Sequence, residues 1–180
     1  MSATPKDLTP KGQARHDALL DAVLRVLERD GASAVTHRAV AAEAGVPVAS
    51  ATYYFATIDD LLVSALRRGT AQLTAMLGVL EDTDVAGWAR IIHRYTHRNR
   101  AATVAQYELM FLAMRRESLR ADAQAWYGAL ERAIDPQNLH PERTRVTALA
   151  IDGLLLKMLW LGTPSTVEGT EQALREIVGR

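Results

Sequence analysis

The stretch VTHRAVAAEAGVPVASATYYFATIDDLL, residues 35–62, decides how the chain is read. Two short helical patterns flank Gly45, and a third helix opens at Thr57. Thr36 suits the cap of the first helix, because its hydroxyl can accept one of the free backbone N–H groups of the first turn; that helix is predicted to end at Ala44. Gly45 can take the left-handed conformation that a sharp exit requires. Pro47 stands at the entry of the second helix, over about 48–54. Thr57 and Asp60 form a capping-box-like pair, with aspartate in the usual place of glutamate. Alanines at 39, 41, 42 and 44 let the short pair approach closely, and Val40 and Val46 supply a small core. Two short helices packed in this way make a helix-turn-helix.

Working outward, Thr9 and Pro10 open a helix that runs to Asp30, with Leu19, Leu20, Val23, Leu24 and Leu27 as its apolar stripe and Gly31 as its stop. Residues 1 to about 10 read as a polar, frayed arm. The helix opened by Thr57 continues through Leu61, Leu62, Ala65, Leu66, Leu73, Met76 and Leu77 to about Leu80. Further helices are predicted over about 84–100, 102–117, 119–134, 142–161 and 166–178. Asp84, Thr103, Ser118 and Ser165 are the expected caps, and Pro136, Pro141 and Pro164 punctuate the connections. No stretch alternates with period two. The expected fold class is therefore all-α, with about nine helices.

Composition narrows the function. Of 180 residues, 48% are hydrophobic, enough for a core, and there is no cysteine to serve as nucleophile, ligand or disulfide. The N-terminal residues lack the apolar run of a secretory leader. The most apolar run, Ala148–Leu161, is broken by Asp152 and Lys157 and is too short to span a membrane. A soluble, cytoplasmic protein without a membrane partner is expected. Formal net charge is zero. Even in the first 68 residues, Lys6, Lys11, Arg15, Arg25, Arg29, Arg38, Arg67 and Arg68 are matched by as many acids, Asp7 among them. Binding to DNA would depend on where charges stand, not on bulk positive potential. No catalytic motif appears: there is no Gly-x-Ser-x-Gly, no His-Glu-x-x-His and no phosphate-cradling glycine loop. No enzyme activity, cofactor or metal is expected.

The outward positions of the second short helix are Ala49, Ser50, Thr52, Tyr53 and Tyr54. Hydroxyls and aromatics of this kind suit phosphates and thymine methyl groups better than bidentate base readout. The succession of an opening helix, Thr36, Arg38-Ala39-Val40-Ala41, Ala44-Gly45-Val46, Tyr53-Tyr54-Phe55 and Asp59-Asp60-Leu61-Leu62 strongly resembles the N-terminal domain of TetR family transcription regulators, over about residues 15–65. The resemblance implies a DNA-binding domain over 1–56 and a helical effector-binding and dimerisation domain over 57–180. It implies that Thr36 and Arg38 contact the DNA backbone or a base; His37, between them, could reach a phosphate or stand solvated. It places Ala49, Ser50, Thr52, Tyr53 and Tyr54 on the recognition surface, makes Phe55 core, and aims the helix N-terminus at Thr57 toward a phosphate. The chain departs from the family at Thr52, where tyrosine is frequent, at Ile58, where a phosphate-contacting lysine is common, and at Val48-Ala49, which lacks the usual polar pair.

In the second half, the helix over 142–161 is apolar nearly all round, so it should be covered on all sides. Leu149, Gly153, Leu156 and Trp160 are the positions expected against a second copy, since the resemblance implies pairing through the last two long helices. Val104, Tyr107, Phe111 and Met114 lie on one stripe with Met110 beside it. These residues, with Trp88, Trp126 and Tyr127, are candidates to line an effector pocket for a small molecule, although such a stripe also suits plain core. In RIIHRYTHRNR, residues 90–100, the basic groups read as a solvated face or an anion site. His93 and His97 have metal-ligand spacing, but no obvious third ligand. Glu108 is expected to pair with an arginine. The leading expectation is a homodimeric regulator, most simply a repressor, that binds a near-palindromic DNA operator and is released by a small molecule. A helical protein–protein interaction module is the alternative, and activation remains open.

Overall fold

The computed structural model describes residues 8–78, 84–137 and 139–179, with only the backbone at 76–78. The expected N-terminal arm with Lys6 and Asp7, the helix end at Leu80, and the side chains of Met76 and Leu77 lie outside the described residues. The α-helices are α1 (Pro10–Asp30), α2 (His37–Ala44), α3 (Val48–Tyr54), α4 (Ile58–Gly78), α5 (Val85–His97), α6 (Arg100–Leu112), α7 (Arg120–Ile134), α8 (Pro141–Leu161) and α9 (Val167–Val178). Short 3₁₀ turns stand at Ala32–Ala34 and Glu117–Leu119, and the described residues contain no strand. The all-α expectation holds.

Capping explains where most of these helices begin. Thr9 accepts from the Gly12 N–H, Thr36 from that of Ala39, and Asp84 from that of Gly87. The capping box at α4 is reciprocal: the Thr57 N–H donates to Asp60 at 2.9 Å, and the Asp60 N–H to the Thr57 hydroxyl at 3.1 Å. Three expected caps do other work. Thr103 is buried inside α6 and donates its hydroxyl to the Tyr95 and Asn99 carbonyls, because that helix starts earlier, at Arg100. Ser118 donates to Asp59. Thr166, not Ser165, caps α9.

The chain forms two compact units, one running to Gly69 and including Val104–Ala123, the other comprising Thr70–Thr103 and the residues from Gln124 onward. The motif-based boundary after residue 56 does not coincide with this division, which cuts α4 and returns a later segment to the first unit.

In the first unit, Leu19, Val23, Val26 and Leu27 of α1 are buried together with Val40, Ala41, Ala51, Phe55, Leu61, Leu62 and Leu66. Ala22 and Val26 carry the α1 stripe where Leu24 is only half-buried. Gly31 leaves α1 at φ 79° and ψ 174°, a conformation open in practice only to glycine. The N–H of the next residue, Ala32, donates to Glu108 at 2.9 Å. Glu108 thus holds a backbone turn, and among the described residues it pairs with no arginine, contrary to expectation. In the second unit, α5 packs chiefly on α9, and α8 touches both. Ile92, Ala148, Ile151, Leu155, Met158 and Leu174 make its core. Asp152 interrupts the apolar run of α8 because the Tyr127 hydroxyl donates to it at 2.7 Å. Burial, reinforced by that hydrogen bond, raises the Tyr127 pKa above its ordinary value.

Candidate functional site

Helix α2 and helix α3 form the expected pair, joined through Gly45 at φ 67° and ψ 32°. Thr36 caps α2, and Arg38, the second residue of that helix, is exposed. On α3, Ala49, Thr52 and Tyr53 are exposed and Ser50 is half-buried. Tyr53, the large side chain among them, keeps 65% of its surface exposed. The Thr52 hydroxyl donates back to the Ala49 carbonyl at 3.2 Å. That donor is therefore already engaged within the helix.

Two expected surface residues are turned inward. Tyr54 is buried, edge-on to the rings of His16 and Tyr53, and so belongs to the core. A seven-residue helix has one short inner face, and Ala51 and Tyr54, three residues apart, fill it. His37 donates from Nε2 to the Phe55 carbonyl at 2.7 Å. It ties the start of α2 to the end of α3 and does not offer that nitrogen to a phosphate. At Thr57 the residue is exposed, but its N–H already serves Asp60, so a phosphate there would have to compete with an internal carboxylate.

Charge placement now becomes readable. Glu43 accepts from Arg25 at 2.7 Å and from Arg29 at 2.8 Å. Those two hydrogen bonds, Arg29 first, hold its carboxyl below the usual range. Arg67 pairs with Asp122, Arg68 with Asp17 and Asp21, and Arg116 with Asp59. Ser118 and Arg116 lower the Asp59 pKa. By contrast, Lys11, Arg15 and Arg38 are exposed and make no ion pair among the described residues. The zero net charge hides this partition: acids neutralise the cations that brace the unit and leave others, these three among them, available.

The second unit contains a cavity of about 390 Å³. Of the residues expected at an effector pocket, Trp88 lines it, whereas Trp126 and Tyr127 do not. Trp126 is buried and edge-on to Tyr127. Tyr107 and Met110 are buried in the first unit, where Phe111 and Met114 are exposed on α6 and the turn after it. The cavity residues missed from the sequence come from four helices far apart in the chain, which periodicity does not link.

Helix α8 is not covered all round. Val146, Leu149, Trp160 and Leu161 are exposed, Trp160 by 78%, and Gly153 and Leu156 lie along the same side. The basic segment 90–100 shows Arg90, Arg94 and Arg98 exposed while Ile91 and Ile92 are buried. The His93 and His97 rings stack at 4.0 Å. His93 Nε2 meets the Ser165 carbonyl at 3.3 Å, and His97 Nδ1 lies within hydrogen-bond distance of the His93 carbonyl and the Thr96 hydroxyl. Among the described residues, no group of three or more acids and histidines could hold a metal ion. No described helix is long and apolar enough to cross a membrane.

Residues 19–65 match the model of bacterial regulatory proteins of the tetR family, and residues 79–180 match that of the tetracyclin repressor-like C-terminal domain. The chain belongs to the TetR family. As a TetR family member it is a DNA-binding transcription regulator with a helical C-terminal domain of the ligand-binding kind, and not an enzyme. It is similar to a TetR family member, SCO1917 from Streptomyces coelicolor A3, at 31% identity and a TM-score of 0.80, covering 91% of this chain and 97% of that one. It is also similar to the multidrug binding protein EbrR complexed with ethidium, at 31% identity and a TM-score of 0.78, with the same coverage of 91% and 97%. The HTH-type transcriptional regulator BetI of Rhizobium meliloti (strain 1021) is 40% identical over 72 residues, which span 40% of this chain and 32% of that protein.

Proposed function

We propose that this TetR family protein is a cytoplasmic, homodimeric repressor that binds a near-palindromic operator and leaves it when a small organic molecule occupies the second unit. The exposed apolar side of α8 carries the proposal. Val146, Leu149, Leu156, Trp160 and Leu161 make a continuous surface of a kind that monomeric proteins seldom leave open. A second copy related by a two-fold axis would cover it, since one self-complementary patch serves both partners. Gly153 on that side admits close approach of a partner helix.

Pairing gives the reading heads their use. A two-fold dimer meets two half-sites one helical turn apart, about 34–36 Å, or a multiple of that. Tyr53, Thr52 and Ala49 would face base edges, with Ser50 beside them, and Arg38, Lys11 and Arg15 the phosphates. Thr36 would serve by capping α2. An effector that binds better to a dimer whose heads are wrongly spaced lowers operator affinity by that difference. About 3 kcal/mol of coupling is over a hundredfold. The complexes of EbrR with ethidium and with proflavin support an organic effector.

The test is binding of the full chain to duplexes tiled from the DNA upstream of its own gene, at low salt, with sedimentation reporting its size on and off DNA. Two protomers on one duplex are expected. A preparation that binds no tile, or binds as one protomer, overturns the proposal. Activation in place of repression would appear as increased transcription from the bound promoter in a reconstituted assay.

A further inference from the structure

The cavity in the second unit joins an apolar floor to a charged rim. Ile151 and Leu174 form a buried apolar floor, and Trp88, half-buried, stands as a wall. Thr147 lines it with 8% of its surface exposed, a polar residue among apolar ones. At about 390 Å³ the space falls at the small end of the 300–1,000 Å³ typical of small-molecule pockets.

The rim fixes the sign of the charge it favours. Asp84 is held by its capping bond from the Gly87 N–H at 2.9 Å. Asp135 accepts the His140 N–H at 2.8 Å and the Thr144 hydroxyl at 3.1 Å, which keeps its carboxylate ionised and in place. The cation facing them, Arg143, spends a guanidinium N–H on the Val178 carbonyl at 2.8 Å. Two fixed carboxylates thus stand with one arginine along the rim, which favours a positive group. An aromatic wall adds attraction for a cation that reaches the ring face.

We propose that this cavity binds a small apolar molecule carrying one positive charge, its body on Ile151, Leu174 and Trp88 and its cationic group toward Asp84 and Asp135. This rests on the effector reading above and names the chemical class of that effector.

The probes are benzyltrimethylammonium and phenylmethanesulfonate, matched in size and opposite in charge, titrated calorimetrically into the DNA-free full chain. The cation should bind once per protomer, and the anion at least tenfold more weakly. Asp84→Asn keeps the cap, because asparagine caps as well as aspartate, and should weaken the cation about fivefold by removing one rim charge while leaving the anion no weaker. Thr147→Phe fills the space and should abolish cation binding, with circular dichroism reporting intact helix content. Equal or tighter binding of the anion, or cation binding unmoved by Asp84→Asn, overturns the proposal. So does absence of cation binding at millimolar concentration. A DNA-release assay separates the two readings. Cation bound in the cavity without release retains the site and removes the effector role. Release that persists in Asp84→Asn and Thr147→Phe at the wild-type concentration retains an effector role and removes this site.

Discussion

Leu149→Ala tests the pairing surface with a magnitude that follows from its exposure. Burying a leucine side chain fully stabilises by about 1.5–3 kcal/mol. Leu149 keeps 56% of its surface exposed in the protomer, so covering the remainder is worth about 1–1.5 kcal/mol. A two-fold interface counts that contribution twice, giving about 2–3 kcal/mol for the pair. Truncation should therefore raise the dimer dissociation constant roughly 30- to 150-fold. Because Leu149 is an exposed position of α8, helix content should be unchanged. Sedimentation equilibrium over a wide concentration range is the assay, with Arg90→Ala, an exposed change on α5, as the control expected to do nothing. A dissociation constant within threefold of the wild type would refute the assignment of this face, as would a wild-type chain that is monomeric at micromolar concentration.

Other consequences concern the folding of each unit. Glu108→Ala leaves the Ala32 N–H without its acceptor and should cost about 1–3 kcal/mol in denaturant unfolding. Glu108→Gln, whose amide oxygen can still accept, should recover much of that; equal losses in both variants would show that charge, not the hydrogen bond, matters. Thr36→Ala should cost about 1 kcal/mol through loss of the α2 cap, and an unchanged denaturation midpoint would remove that role. Burial first, then the neighbouring His97 charge, lowers the His93 pKa. The unfolded state therefore takes up its proton first as pH falls through about 6.5, so thermal stability should decline below that pH. His93→Gln should flatten this decline, and a parallel pH profile would show that other groups cause it.

Much of this was legible because local rules agreed. Thr9, Thr36, Thr57 with Asp60, and Asp84 each announce a helix start by placing a side-chain oxygen where an N–H is free, and the structure uses all four. Thr103 and Ser118 have the same chemistry and were misleading, since tertiary partners claimed their hydroxyls: Tyr95 and Asn99 carbonyls for one, Asp59 for the other. Tyr54 was hard to place because a helix of two turns has too few residues to define a face by periodicity. Tyr107, Phe111 and Met114 are spaced as a stripe, but periodicity says neither which unit they join nor that only Tyr107 of the three is buried. The cavity was invisible for a related reason: its rim unites Asp84, Asp135 and Arg143, whose proximity exists only once α5, α7 and α8 have packed.

The most direct measurement is the salt dependence of affinity for the upstream duplex that binds best, for the wild type and for Arg38→Ala. Phosphate neutralisation by Lys11, Arg15 and Arg38 in each of two protomers corresponds to about six released counterions, hence a slope of log affinity on log salt near −5. Arg38→Ala should make the slope shallower by about 2, one contact per protomer, while weakening different duplexes alike. Tyr53→Ala should instead reduce discrimination among duplexes and leave the slope nearly unchanged. A wild-type slope near zero, or one that Arg38→Ala leaves unaltered, is incompatible with a reading head that docks through these residues.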